Sequence, residues 1–333
     1  MSQKARSKRS VRAGHGERAL IERLARRLVA PKRGVEIGIG DDAAVIRSDG
    51  VRWVLSADAS VEGVHFERRW LGLADVGYRS MMAALSDLGA MGAVPVAALS
   101  CLILDARTRD ADVLALARGQ QAAAQQAGVA IVGGNISSGS ELSVTTSVCG
   151  RMPGGAKPLE RSGARPSNEV WLIGDLGLAR AGLELLRRGV AARKGRDAAR
   201  ARCVRAWRRP DVPLARGPQL LGRASAAMDV SDGLIGDATA LARASGVTIV
   251  LERDALARAM SRDLSSVASI LGWSPLDLAL EGGEDYALIA AGPSRRRPPW
   301  AKRIGRVERG RPQCRLEEPD GRSKPLTGGY QHR

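Results

Sequence analysis

The acidic residues of this chain gather in short runs beside glycines, and those runs are where its chemistry is concentrated. Asp41 and Asp42 lie in a turn opened by Gly38 and Gly40. Ser56 and Asp58 are two apart at the end of a strand, so their side chains point to one face. Asp87 follows Ser86 inside an otherwise apolar helix, LSDLGAM, where a carboxylate has little reason to be without a partner. Asp229, Ser231 and Asp232 stand where a strand meets a helix, and Glu284 and Asp285 follow a Gly-Gly pair. Taken singly, Asp41 and Asp42 also read as turn formers, and Asp232 as an N-cap for a helix starting at Gly233.

Neighbouring carboxylates repel and are costly to bury, so such a set calls for cations between its members. Oxygen-only ligands favour Mg²⁺ or Ca²⁺ over zinc or copper. No EF-hand spacing is present, which turns the expectation to Mg²⁺ with a nucleotide. Gly133 and Gly134 directly follow the strand-like run VAIV and would let backbone approach a phosphate closely. There is no GxxxxGK[ST] and no GxGxxG within a βαβ unit, so a phosphate-transfer enzyme here is neither a P-loop protein nor a protein kinase.

These residues need elements to position them. Helical apolar spacing runs from Glu17 to Ala30, Asp75 to Met91, Ala111 to Ala127 and Ala179 to Arg188, with another helix from the DVSDGL segment to Ala244. Strands are expected at Val51 to Asp58, Val96 to Leu104 (apolar enough to be fully buried), Val129 to Val132, Leu142 to Cys149, Glu169 to Ile173 and Val247 to Leu251. Residues after Pro293 read as polar loop with a strand near Ile304 to Val307. The Gly-, Pro- and charge-rich stretch from Pro153 to Ser167 reads as a junction. The reading is a basic disordered tail at 1–16, an N-terminal domain at 17–152 and a C-terminal domain at 153–333, a two-domain α/β or α+β protein.

At 333 residues two domains are the natural size prior. No apolar run reaches the roughly 20 residues of a membrane span, and the basic start lacks the apolar stretch of a secretory signal, so the cytoplasm is expected. The four cysteines are far apart without a CxxC, and read as buried thiols rather than a metal or disulfide framework. The net charge of +17 suggests nucleic acid, but the basic stretches at 187–209 and 295–306 lack the interleaved aromatics that base stacking uses. No specific nucleic-acid partner is expected.

The motifs GIGDDAAV, LSADASVEGVHF, LSDLGAMGAVP, IVGGN, LERSGARP, AMDVSDGLIGD and LEGGEDYAL, in that order across residues 40–290, resemble the thiamine-monophosphate kinase family, as does GGY at 328–330. GDDAAV and SDLGAMGA mark only the wider superfamily; VEGVHF, DVSDGL and GGEDY are more specific. The resemblance implies the aminoimidazole ribonucleotide synthetase-like fold, with N-terminal domains pairing across a homodimer to form a β-barrel. It implies Mg²⁺-dependent phosphorylation of thiamine monophosphate to thiamine diphosphate by direct in-line transfer from ATP, with no side chain acting as acid or base.

By position, the resemblance makes Asp42, Ser56, Ala57, Asp58, Asp87, Asn135, Asp229 and Asp232 metal-binding. It makes Gly133, Gly134, Arg161 and Ser231 ATP-contacting, and His65, Glu284 and Tyr330 substrate-contacting. Three positions depart from the family pattern: Asn135 replaces the usual Asp, Ser138 stands where Arg is common, and Ala57 where Thr is common. Asn keeps an oxygen ligand but loses the charge, so a raised Mg²⁺ requirement is expected. The alternatives are another ATP-using enzyme of the superfamily, or a degenerate nucleotide-binding protein without turnover. A hydrogenase maturation factor would carry a terminal cysteine, and a selenide enzyme an early one; Cys314 and Cys101 suit neither.

Overall fold

The computed structural model describes residues 17–28, 34–190 and 197–328. After α1 (Glu17–Arg27) come β1 (Val35–Ile37), β2 (Ala44–Ser48) and β3 (Val51–Val61). The last two join through the two-residue turn Asp49-Gly50, both at positive φ, which matches the twist of a tight hairpin. Then follow α2 (Leu73–Ala90), β4 (Val94–Leu104), α3 (Asp110–Ala127), β5 (Ala130–Ser138) and β6 (Ser143–Arg151). The strands form one six-stranded sheet in the order β1-β2-β3-β6-β4-β5. Only β4 and β5 pair in parallel, because α3 returns the chain between them.

Helices α2 and α3 pack closely over one face of this sheet. A Cβ on Gly77 would meet the Leu116 carbonyl oxygen at 2.0 Å, and one on Gly119 would meet that of Ala74 at 1.7 Å, so the contact requires both glycines. The opposite face is open. Val96, Leu99 and Ile103 on β4 stay 38–44% exposed, so β4 is covered on one side only, not buried on both as its apolar run suggests. The sheet is not closed into a barrel; β1 and β5 are its two edges.

The second half contains β7 (Glu169–Ile173), α4 (Leu178–Arg187), α5 (Ala198–Arg208), α6 (Gly217–Leu220), β8 (Ala226–Val230), α7 (Leu234–Ser245) and β9 (Thr248–Glu252). It continues through α8 (Arg253–Ala259), α9 (Arg262–Leu271), α10 (Pro275–Glu281), β10 (Ala287–Gly292), β11 (Lys302–Glu308), β12 (Gln313–Glu317) and β13 (Ser323–Pro325). The seven strands pair as β13-β12-β9-β11-β7-β10-β8. Successive residues of β7 enter different cores: Val170 and Leu172 pack with the helices α4, α7 and α9, Trp171 and Ile173 with Leu288 and Ala290 on the other side. This sheet is covered twice.

Several expectations are corrected. After Pro293 the expected strand near Ile304 to Val307 is present as β11, but the segment read as loop beyond it also forms β12 and β13, whose pattern is masked by Arg and Glu side chains that pair across β9, β11 and β12. Gly133 and Gly134 lie within β5 rather than after it. Cys203 and Cys314 are buried, whereas Cys101 and Cys149 are only half-buried, on the open face of the first sheet. The basic stretch at 187–209 includes α5, whose Cys203 and Trp207 face the core and whose Arg202 pairs with Asp175 and Asp263. The tail at 1–16 and Tyr330 lie outside the described residues. No helix among the described residues is long and apolar enough to cross a membrane.

Candidate active site

The two halves meet around a cavity of about 430 Å³. Beside it three carboxylates converge: Asp42 from the turn before β2, Asp87 from α2 and Asp229 from the end of β8, the last two lining the cavity. Each offers an oxygen, and these oxygens lie within 4.8 Å of one another. Local structure explains their aim. The alternation of β3 turns Ser56 and Asp58 toward α2, where the Ser56 hydroxyl donates to Asp87 Oδ2. Ser86, one residue before Asp87, donates to Asp229 Oδ2 at 2.8 Å and so joins the two halves. Arg161 donates through Nε to Asp42 Oδ1 at 2.8 Å and through Nη2 to the same oxygen.

Withdrawal from water dominates the electrostatics here. It pushes Asp42 up to about 8 and Asp229 up to about 6, and Asp87 well above the usual carboxylate range. For Asp42 and Asp87 the neighbouring carboxylates add to the rise, while the Arg161 guanidinium opposes it at Asp42 and Asp229. The buried Asp42 Oδ2 has no hydrogen-bond partner. A desolvated, all-oxygen cluster with an orphaned acceptor fits a hard divalent cation of the Mg²⁺ type.

Asp58, Ser231 and Asp232 line the same cavity, as does Ala57. The Ser231-Asp232 loop is not capped by Asp232. Instead Asp237, in the first turn of α7, accepts from the backbone N–H groups of both residues at 3.1 Å, and Gly233 occupies the N-cap position. A carboxylate in the first helical turn is a readable signal for such a role.

His65, Phe66, Trp70, Trp207 and Glu284 also line the cavity. His65 Nδ1 accepts from the Val61 N–H at 3.1 Å, so Nε2 carries the proton when the ring is neutral. Glu284 and Tyr286 have left-handed backbone (φ 60° and 51°), a strained arrangement for side-chain-bearing residues. Bonds from Glu284 N to the Ser231 carbonyl (2.7 Å) and from Tyr286 N to that of Val230 (2.9 Å) hold it. Between them, Asp285 accepts from Gly177 N (2.6 Å) and Ala179 N (3.0 Å) at the start of α4. Burial still pushes Asp285 up to about 7.

Gly133, Gly134 and Asn135 are not brought to the carboxylate cluster within the chain. Asn135 aligns through Cys101 and Thr145 with Ala59, three strand spacings away, or about 14 Å. Its side chain donates to Ser137 Oγ at 3.4 Å. Gly134 is required by close packing, since a Cβ there would meet the Ser100 carbonyl oxygen at 1.7 Å. Sequence reasoning passed over Ser86, Asp237, Trp207 and Arg79. Arg79 is two helical turns before Asp87, the i, i+8 spacing that places both on one face of α2.

Residues 40–152 match the family described as AIR synthase related protein, N-terminal domain. A thiamine-monophosphate kinase of Mycobacterium tuberculosis is 37% identical over 88% of this chain and 85% of its own length. One from Aquifex aeolicus is 33% identical over 82% and 87%. Among solved structures, AaThiL complexed with AMPPCP and TMP superposes with a TM-score of 0.85, at 31% identity, covering 96% of this chain and 97% of that one. A hydrogenase maturation protein, HypE, shares the fold at 19% identity and a TM-score of 0.67.

Proposed function

The chain belongs to the thiamine-monophosphate kinase family, and on that premise we propose that it transfers the γ-phosphoryl group of ATP to the phosphate of thiamine monophosphate, giving thiamine diphosphate and ADP. The observation that carries this reading is the convergence of Asp42, Asp87 and Asp229, from three distant segments, beside a cavity that Asp87 and Asp229 line. The AaThiL complex with AMPPCP, an ATP analogue, and TMP supports the same pair of substrates.

In this reading Asp42, Asp87 and Asp229 would hold Mg²⁺ together with Ser56, Asp58, Asp232 and the Ala57 carbonyl, and Asn135, about three strand spacings away within the chain, would join them only from a second copy. Bound there, Mg²⁺ offsets the charge of two polyanionic substrates and of the transferring group. Arg161 forks onto a phosphate of ATP, oriented by its bond to Asp42, with Ser231 and the Gly133-Gly134 backbone as further contacts. His65, Glu284 and Tyr330 receive the thiamine rings. An acceptor phosphate oxygen attacks the γ-phosphorus in line, the bond to the β–γ bridging oxygen breaks, and ADP leaves. The nucleophile is already anionic, so no general base is required, and alignment does most of the work.

The reading extends to a cytoplasmic homodimer. Leu55, Leu99, Ile103, Val132 and Ile136 leave the first sheet with an apolar face, each between 37% and 64% exposed. A second copy would cover that face and close the paired sheets into a barrel. The deciding assay mixes protein, ATP, Mg²⁺ and thiamine monophosphate and measures thiamine diphosphate directly. Product that disappears in Asp87→Ala supports both reaction and site. Nucleotide binding without product at high Mg²⁺ would instead mark a degenerate nucleotide-binding protein.

A further inference from the structure

Glu284 lines the cavity with about a third of its side chain exposed, yet its charge is already matched by Arg79. Arg79, 4% exposed on α2, places Nη2 in ion-pair contact with Glu284 Oε1, and its Nη1 donates to the Trp207 carbonyl oxygen. Trp207, 2% exposed on α5, donates from Nε1 to Glu284 Oε2 at 3.2 Å. The same guanidinium lies 5.3 Å from the Trp207 ring and 5.9 Å from that of Tyr286. One carboxylate oxygen thus pairs with a guanidinium and the other accepts an indole N–H, from residues on α2 and α5.

We infer that Arg79 and Trp207 are positioning residues for the thiamine-monophosphate end of the site: they lock the Glu284 carboxylate in one orientation and neutralise it. This rests on the acceptor reading above. Glu284 then meets the substrate as an aimed hydrogen-bond acceptor with its remaining lone pairs, rather than as a free countercharge. Arg79 contacts no substrate. Because the ATP and metal end uses other residues, loss of either donor acts on acceptor binding and leaves nucleotide binding alone.

The test is steady-state kinetics on the full chain, with calorimetric binding of thiamine monophosphate and a thermal melt for each variant. Trp207→Phe removes the indole N–H and keeps an aromatic ring; KM for thiamine monophosphate rises about fivefold, the weight of one hydrogen bond. Arg79→Met raises it about tenfold or more, and Arg79→Lys recovers part of that loss. In both cases KM for ATP and kcat stay within about twofold, a split that loosened packing does not produce. Arg79→Met combined with Glu284→Gln is no worse than Glu284→Gln alone, because both act through one carboxylate.

Effects that multiply in the double variant, or equal rises in both KM values, overturn the inference. Should Arg79→Met fail to fold, Trp207→Phe decides by the same split. A wild-type protein that makes no thiamine diphosphate overturns the acceptor reading and this inference with it. Wild-type product with unsplit variant kinetics overturns this inference alone.

Discussion

The two sheets are written in similar apolar language and end differently. In the seven-stranded sheet, β7 and β10 send alternate residues into cores on opposite faces, and every residue of β10 is buried. In the six-stranded sheet, β4 buries Ala98 and Leu102 under the helices while Leu99 and Ile103 stand open on the other side. The second sheet is complete within one chain. The first carries an apolar surface that the described residues do not cover, on the half that also supplies Asp42 and Asp87. The halves therefore differ in how far each is covered, while the cavity is lined by residues of both.

The sharpest way to break this contrast is a charge on each sheet. Leu288→Asp, at a fully buried site in β10, should cost about 4 kcal/mol or more and abolish the folded state seen by circular dichroism. Leu99→Asp, 44% exposed, should leave circular dichroism unchanged and shift sedimentation from dimer to monomer. A folded Leu288→Asp, or a Leu99→Asp protein that still sediments as a dimer, would erase the distinction.

Because the carboxylate cluster spans both halves, Asp229→Asn from the second should impair turnover as severely as Asp87→Ala from the first, on the order of 10³-fold. Nearly wild-type turnover in Asp229→Asn would confine the site to the first half.

The cluster also makes a pH prediction. Asp42 and Asp229 titrate near 8 and near 6 when folded, against about 4 in an unfolded chain. Raised folded values mean that the native protein binds more protons than the unfolded chain in that interval, so metal-free stability falls as pH rises from about 4 toward 8. In the proposed reading Mg²⁺ would take the place of those protons. It should therefore raise the melting temperature more at pH 8 than at pH 6, by about 5 °C. Equal shifts at both pH values would argue against a cation among these carboxylates.

The smallest expected effect concerns the edge of the open sheet. Asn135→Asp should lower the half-saturating Mg²⁺ concentration about threefold, the scale of one added charge at a partly solvated ligand. No change would remove Asn135 from the metal set and leave it a sheet-edge residue.

Much of the site was legible because its chemistry is local in sequence. Adjacent carboxylates beside glycines, Ser56 and Asp58 on one face of a strand, and Asp87 inside an apolar helix each announce a cost that a partner must offset. The period of strands and helices also placed α2, α3, α4 and α7 close to where they lie. Strands β12 and β13 were less legible than β11, since Arg and Glu side chains there satisfy one another only after folding, and by composition they look like loop. Trp207, in a basic stretch, gave no local hint that its indole would reach Glu284.

Sequence alone determined which residue types carry the chemistry and where the most strongly patterned strands and helices lie, because motif spacing and periodicity act over a few residues. Tertiary structure decided the rest: that Asp42, Asp87 and Asp229 share one desolvated point, that Arg79 and Trp207 stand behind Glu284, and that one apolar strand is buried while another is left open. Those outcomes depend on contacts between residues far apart in the chain, where packing and loss of water, rather than local preference, set the free energy.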